Sequence, residues 1–198
     1  MASFLRRNAE LGTYSLGTKS CRSASSSNFG TQNLELTSDR NGPDKAFWSF
    51  KFRSSGLRYE VGICILTGEI VWINGPFPCG DWNDITVFRH DLKHCLDDGE
   101  RVEADDGYLG EDPLTTKVPK SGVHLHGEAM LKMRQRVRAR HETVNKRIKQ
   151  FKIVRETFRH DLSLHGHCFY VCAVLTQLMI QSGHPLFQVG EYDDEANE

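Results

Sequence analysis

Hydrophobic and polar residues alternate most clearly in the middle of the chain. The run LRYEVGICIL, residues 57–66, alternates and is rich in β-branched and aromatic residues, as is typical of a strand. The turn pair Thr67-Gly68 follows, and EIVWING at 69–75 continues the strand pattern. Residues 57–75 therefore predict a β-hairpin.

The pattern changes to helical spacing after the hairpin. Apolar residues recur at steps of three and four from Ile85 to Leu96, and Asn83 or Asp84 stands at the expected N-cap. The run RVEAD at 101–105 then predicts a short strand.

Residues 107–124 are loop-like, and two helices are predicted beyond them. The basic segment from about 127 to 158 carries one apolar stripe. Its members are Val137, His141, Val144, Ile148 and Phe151. The largely apolar run at 167–183 predicts a buried helix that ends at Ser182-Gly183. Strands and helices in this order predict a mixed α/β layer architecture.

The two ends of the chain differ from this central part. Residues 1–45 are rich in Ser and Asn and carry no apolar period, which predicts a disordered or irregular segment. The last eight residues, EYDDEANE, form an acidic tail at 191–198. The 198 residues therefore predict one ordered domain, at 46–190.

The net charge of −1 hides an uneven distribution of charge. Between Leu131 and His160 there are 11 Lys or Arg residues and only two acids, Glu142 and Glu156. The overall charge therefore indicates no partner, whereas the basic segment is a candidate surface for an anionic one.

Six cysteines occur without a Cys-x-x-Cys pair, and the N-terminus has no apolar run long enough for a secretory signal. Reduced thiols and a nuclear or cytoplasmic location are therefore expected. No apolar stretch of about 18 residues suggests a membrane span, so no membrane partner is expected.

Paired aspartates lie where the predicted strand RVEAD ends. Asp106 precedes Gly107, a common turn pair, so Asp106 is interpreted as a turn residue. Asp105 stands at a strand end, a frequent place for ligand sites in α/β sheets. Spacing alone favours a solvated turn for both residues over a metal site.

Glu142 lies beside the apolar stripe of the basic helix. Arg138, Asn145 and Lys149 share its helical face. A carboxylate flanked by basic residues is suited to bind a divalent cation, with the basic residues available to contact phosphates. A surface pair with Lys146, which contributes only about 0.3–0.5 kcal/mol, is the alternative.

Six stretches between about Phe47 and Tyr192 follow one another in this order: SFKFRSSGLRYEVG, GEIVWINGPFPCGDWNDITVF, VEADDGY, RVRARHETVNKRIKQFKI, FRHDL and LTQLMIQSGHPLF. Together they resemble the PIF/Harbinger group of DDE-type transposase nucleases. The resemblance implies an RNase H-like mixed sheet flanked by helices. It also implies a two-metal site for Mg²⁺ or Mn²⁺ that is built from two aspartates and a glutamate. Matched by position, the second aspartate is Asp105 and the glutamate is Glu142.

One position departs from the family pattern. The first catalytic aspartate should precede the SFKF region, and Phe29 stands in its place within NFGTQN. Asp39 and Asp44 are the nearest acids and are weak candidates for the missing ligand. Asp84 matches another recurrent aspartate of the family, although a helix N-cap already accounts for it.

The resemblance implies DNA as the substrate and the basic helix as the surface that contacts it. Candidate phosphate contacts are Arg138, Arg140, Lys146 and Lys149, with Arg134 and Arg136 beside them. A transposon-derived, metal-dependent endonuclease is therefore expected, with a separate DNA-binding protein as a further partner. The alternatives are an inactive DNA- or protein-binding remnant, and a basic domain that binds an acidic protein or its own tail.

Overall fold

The computed structural model describes residues 23–30, 45–96, 101–104, 108, 115–116 and 128–189. Strands in these ranges are β1 (Ser23–Gly30), β2 (Trp48–Ser49), β3 (Ser54–Ser55), β4 (Leu57–Cys64), β5 (Ile70–Pro78), β6 (Arg101–Glu103) and β7 (Thr115–Thr116). Helices are α1 (Asp84–His90), α2 (Leu92–Cys95), α3 (Glu128–Ile148), α4 (Lys152–Arg155) and α5 (His165–Gln181). The fold is therefore mixed α/β.

Five strands form one sheet in the order β5-β4-β1-β6-β7. Strand β1 is antiparallel to β4 and parallel to β6, which in turn is parallel to β7. The central strand therefore comes from the segment that was predicted to be irregular. That prediction is wrong for residues 23–30, and the rest of 1–45 lies outside the described residues, as does the acidic tail at 191–198.

The predicted hairpin at 57–75 is confirmed as β4 and β5. The Gly68 amide donates to the Cys64 carbonyl at 2.8 Å, and the Cys64 amide donates to the Glu69 carbonyl at 2.8 Å. Gly68 has a φ of 77°, which a side chain would strain. The Thr67-Gly68 pair therefore marks the turn because glycine tolerates this backbone conformation.

Helices cover both faces of the sheet. Alternate residues of β4, including Tyr59 and Val61, pack with Val144 of α3 and Phe169 of α5. The opposite face is formed by residues such as Trp72 and Val102, which pack against Phe88 of α1 and Leu92 of α2. Because β4 is covered on both sides, its burial is almost continuous along the strand.

The predicted helix boundaries needed several corrections. The Asn83 side chain accepts a hydrogen bond from the Thr86 amide at 2.9 Å, so Asn83 is the N-cap of α1. The predicted helix is interrupted at Asp91, which separates α1 from α2. The basic helix ends at Ile148 rather than near 158, and α4 follows as a separate turn. Thr115–Thr116 forms β7 within the stretch that was predicted to be loop.

Helix α5 is buried on one face only. Phe169, Cys172 and Ala173 pack into the core, whereas Val171 and Leu178 are 58% and 44% exposed. By length and composition, Leu162–Gln181 is long and apolar enough to cross a membrane, and 39% of an apolar 18-residue stretch within it is buried. The prediction that no stretch is long enough is therefore wrong, although the contacts of α5 with the sheet fit a core helix.

The cysteines depart from the predicted reduced state at one position. Cys64, at the end of β4, takes part in a disulfide bond. Cys79, Cys95, Cys168 and Cys172 are free thiols. The expectation of reduced thiols throughout is therefore wrong for Cys64.

Candidate active site

Helix α3 runs across the sheet in the direction of β1 and β6. Arg140 of α3 donates from Nη1 to the carbonyl of Ile65, just beyond the end of β4, at 2.7 Å. His141 forms a hydrogen bond with the main chain of Val61, earlier in β4. Val137, earlier in α3, packs with Ile65, whereas Val144, two turns later, lies in the core with Tyr59, near the start of β4. Residue numbers therefore rise along α3 as they fall along β4. Because β4 is antiparallel to β1, α3 is parallel to β1 and β6.

An ion pair fixes the position of α3 relative to β6. Arg138 Nη2 lies 3.8 Å from Glu103 Oε1. Glu103 is only 7% exposed and pairs in register with Ser25 of β1. Sequence reasoning did not single out Glu103. The available signal was strand alternation, since its neighbours Val102 and Ala104 are apolar and pack on the opposite face of the sheet.

Glu142 lies one helical turn after Arg138, and its side chain is exposed. The preceding residue, His141, contacts Val61, which pairs with Ser27 of β1. Ser27 lies two residues after Ser25 in β1, and Ser25 pairs with Glu103 of β6. Because β1 and β6 are parallel, Glu142 is level with the position two residues after Glu103. Asp105, which occupies that position in the sequence, lies outside the described residues, as do Asp39 and Asp44.

Strand β1 contributes no carboxylate to this edge of the sheet. Its sequence is SASSSNFG, and Phe29 pairs in register with Tyr59. Within the described ranges, no group of three His, Cys, Asp or Glu side chains is placed to hold a metal ion. Two acids with described side chains lie on or beside α3: Glu142, which is exposed, and Glu103, whose carboxylate lies near Arg138. These two alone do not make a complete two-metal site, and the other proposed ligand, Asp105, lies outside the described residues.

Asp84 is not brought to this site. It forms an ion pair with Arg58 of β4 at the first turn of α1. Helix α1 packs on the face of the sheet opposite α3, where its residues Val87 and Phe88 are buried. The structure therefore gives Asp84 a place at the start of α1, on the far side of the sheet from Glu142.

One edge of α3 holds the segment of residues 184–189, here called the C-terminal strap. Arg136 Nη2 donates to the Gln188 carbonyl at 2.8 Å, and Arg140 Nε donates to the Phe187 carbonyl at 2.9 Å. Arg147 donates to the His184 carbonyl. We call Arg136, Arg140 and Arg147 the strap edge. Arg140 is only 1% exposed, so its guanidinium is turned inward rather than toward a ligand in solution.

The other edge of α3 faces β6. It consists of Arg138, Glu142, Asn145 and Lys149, and we call it the β6 edge. Burial lowers the pKa of Lys149, and the nearby positive charge of Lys51 lowers it further. Lys146 is exposed on the outward side of the helix. The side chain of Arg134 lies outside the described part of the helix.

His141 and His165 have imidazoles that could transfer protons, but both side chains are buried in the protein. Burial lowers the pKa of His141 to about 4 and that of His165 to about 4. The Tyr59 hydroxyl lies 2.7 Å from His165 Nδ1, and burial raises the pKa of Tyr59. Both imidazoles are neutral near pH 7, and they belong to the packing between β4 and the helices.

The family comparison identifies the class of protein that this fold and site define. A model for DDE superfamily endonucleases matches residues 32–177, about three quarters of the chain. The chain belongs to this family, whose members are transposase-like nucleases. The match begins just after β1, the strand that has no carboxylate. Neither a curated protein nor a solved structure gives a significant match.

Proposed function

We propose that this chain is a transposon-derived, divalent-metal-dependent DNA endonuclease domain of the Harbinger type, with Asp105 and Glu142 at its reactive centre. The observation that carries the proposal is the Arg138–Glu103 contact between α3 and β6. Because α3 and β6 are parallel, this contact makes Glu142 level with the strand position that Asp105 occupies in the sequence. In this proposal, the carboxylates of Asp105 and Glu142 would meet at one edge of the sheet.

The order and direction of the strands support an RNase H-like arrangement. The central strand β1 has an antiparallel pair, β4 and β5, on one side and two parallel strands, β6 and β7, on the other. Helix α3, which carries Glu142, packs over β1 and β4. The mixed sheet and its helices support the RNase H-like fold that the resemblance to DDE-type nucleases implies.

In this proposal, Asp105 and Glu142 would hold Mg²⁺ or Mn²⁺, ions that prefer oxygen ligands. When bound, such an ion activates the attacking water or hydroxyl and stabilises charge on the leaving oxygen. The chain's own contribution is to orient the DNA backbone toward this edge. Arg138, whose Nη2 lies 3.8 Å from Glu103 Oε1, places positive charge beside this buried carboxylate.

DNA would follow the β6 edge of α3 and its outward side. Lys146 is exposed and Lys149 half-buried, and the Arg138 side chain is 42% exposed despite its contact with Glu103. These three cations can approach phosphates. Arg140, enclosed by main-chain carbonyls, is no longer part of the proposed DNA contact set. Such contacts release counterions, so binding would weaken steeply as salt rises.

A second candidate function is favoured by β1. Without an acid in SASSSNFG, the site lacks one of the three carboxylates that a two-metal mechanism uses. The chain would then be an inactive remnant that binds DNA or a protein through the same basic helix. DNA recognition by a separate partner protein is compatible with both functions.

Divalent-metal-dependent nicking of plasmid DNA distinguishes the two candidates. We expect Mn²⁺-dependent nicking by the full chain and its loss in Glu142→Gln. Glu156→Gln is the matched control, because Glu156 is the other acid of the basic segment and is 57% exposed beside Arg155. Calorimetric Mn²⁺ titration of the same variants gives a second readout. No nicking and no Mn²⁺ binding by the unmodified chain, with DNA binding intact, would establish the inactive remnant.

A further inference from the structure

The β2–β3 hairpin carries the most exposed large apolar side chain in the described part of the molecule. Phe50 is 86% exposed, and Phe52 is 39% exposed. Both lie in the four-residue turn Phe50–Arg53, here called the hairpin tip, which has the sequence FKFR. Arg53 has a φ of 52°, a left-handed conformation that is uncommon for arginine. An aromatic ring that is exposed to solvent in a defined turn is a candidate contact for a ligand.

The base of this hairpin is fixed to the body of the protein. Trp48 pairs with Ser55, and Ser49, which is buried, pairs with Ser54. The Gly56 amide donates to the Phe47 carbonyl at 2.8 Å, and the Phe47 ring packs against the main core. Phe50 therefore extends from an anchored turn rather than from a loose end.

Positive charge surrounds the exposed ring. Lys51 and Arg53 flank Phe52, and the Lys51 ammonium lies 5.6 Å from the centre of the Phe52 ring. No acid within the described ranges forms an ion pair with Lys51 or Arg53. The charge of Lys51 also acts on Lys149, so the tip lies near the end of the β6 edge of α3. Lys51 of the hairpin tip is therefore close to Lys149 on the proposed DNA path.

We propose that the hairpin tip stacks Phe50 on an unpaired nucleobase of bound DNA, while Lys51 and Arg53 contact the phosphates on either side. This inference rests on the proposed DNA binding by α3 and specifies the form of DNA that the site prefers. Aromatic rings stack on unpaired bases with little dependence on sequence, because every base has a flat π-face. One exposed ring next to two cations in the same four-residue turn suits a single strand better than a protein surface, which needs a larger apolar patch.

The test compares a paired duplex with the same duplex carrying a three-nucleotide bubble, by fluorescence anisotropy without metal. We expect the full chain to bind the bubble about ten-fold more tightly, which corresponds to about 1.4 kcal/mol. Phe50→Ala should remove this preference and leave binding to the paired duplex unchanged, and Phe50→Trp should keep it. Phe187→Ala, which truncates a 43% exposed ring on the C-terminal strap, is the matched control.

The outcomes separate this inference from the proposed function. Equal affinity of the unmodified chain for both DNAs would overturn the role of Phe50 and leave DNA binding by α3 in place. Absence of binding to either DNA would overturn both. If Phe50 supports binding to vesicles with anionic lipids but not to the bubble, the tip is a membrane contact and the inference fails.

Discussion

The two edges of helix α3 have similar basic residues and different surroundings. On the strap edge, three arginines donate to main-chain carbonyls of residues 184–188. On the β6 edge, Arg138 pairs with a buried glutamate, and Lys149 lies near another cation, Lys51. Arginines on the first edge donate to carbonyls of the protein itself, and Arg140 among them is buried. Cations on the second edge retain charge that can attract a polyanion.

The difference follows from helix geometry and from the neighbouring segments. Arg138 and Arg140 are two residues apart, so their side chains are separated by about 200° around the helix axis. One side chain therefore reaches β6, and the other reaches the C-terminal strap and the end of β4. A count of basic residues cannot distinguish stabilising cations from ligand-binding ones.

The largest effect is expected on the strap edge. Arg140→Met removes the donors to the buried Ile65 carbonyl and to the partly buried Phe187 carbonyl. We expect the free energy of unfolding to fall by about 3 kcal/mol, because buried carbonyls without donors are costly. Urea denaturation followed by tryptophan fluorescence measures this change.

The matched control for Arg140 is Lys146→Met, on the exposed outward side of α3. It should change the free energy of unfolding by no more than about 0.5 kcal/mol. If Arg140→Met instead folds with unchanged stability and loses DNA affinity, the two edges do not have different functions and the comparison fails.

Local patterns predicted the parts of the fold that depend on near neighbours. The alternation at 57–75 gave the β4–β5 hairpin, and the spacing of Val137, His141, Val144 and Ile148 gave the buried face of α3. Each of these signals is contained within one element. Hydrophobic periodicity reports which face of an element is buried, and both predictions are confirmed for that reason.

Features that depend on distant segments were not predictable in this way. Strand β1 is poor in apolar residues, and it is a strand because it pairs with both β4 and β6. The position of Arg140 depends on a segment that lies 47 residues further along the chain. The site residue Asp105 was proposed from the resemblance and lies outside the described residues, so its role stays a prediction.

The buried face of α3, which lies between its two edges, provides a second test through the dependence of stability on pH. Burial lowers the pKa of His141 to about 4, below the usual 6.5 of an unfolded chain. Above pH 6.5 both states are neutral. Between pH 6.5 and 4 only the unfolded state gains the His141 proton, so this residue should lower stability by roughly 3 kcal/mol across this range, in addition to the effect of His165, whose pKa burial also lowers to about 4. Urea denaturation at pH 7 and pH 4 measures the change.

His141→Gln isolates the contribution of this residue. The variant should lose less stability than the unmodified chain between pH 7 and pH 4, and the exposed His167→Gln should behave like the unmodified chain. An identical pH dependence for His141→Gln and the unmodified chain would mean that water reaches the imidazole, contrary to its 3% exposure.

The smallest expected effect belongs to the β6 edge and concerns DNA rather than stability. Lys149→Gln should reduce affinity for DNA a few-fold and reduce the slope of log affinity against log salt by about one, because one phosphate contact is lost. Lys93→Gln, on α2 at the opposite face of the sheet, should leave the slope unchanged. Anisotropy titrations between low and moderate salt measure both slopes. Equal slopes for Lys149→Gln and the unmodified chain would place the DNA elsewhere. Lys149 would then contribute only to the packing of α3 near the hairpin tip.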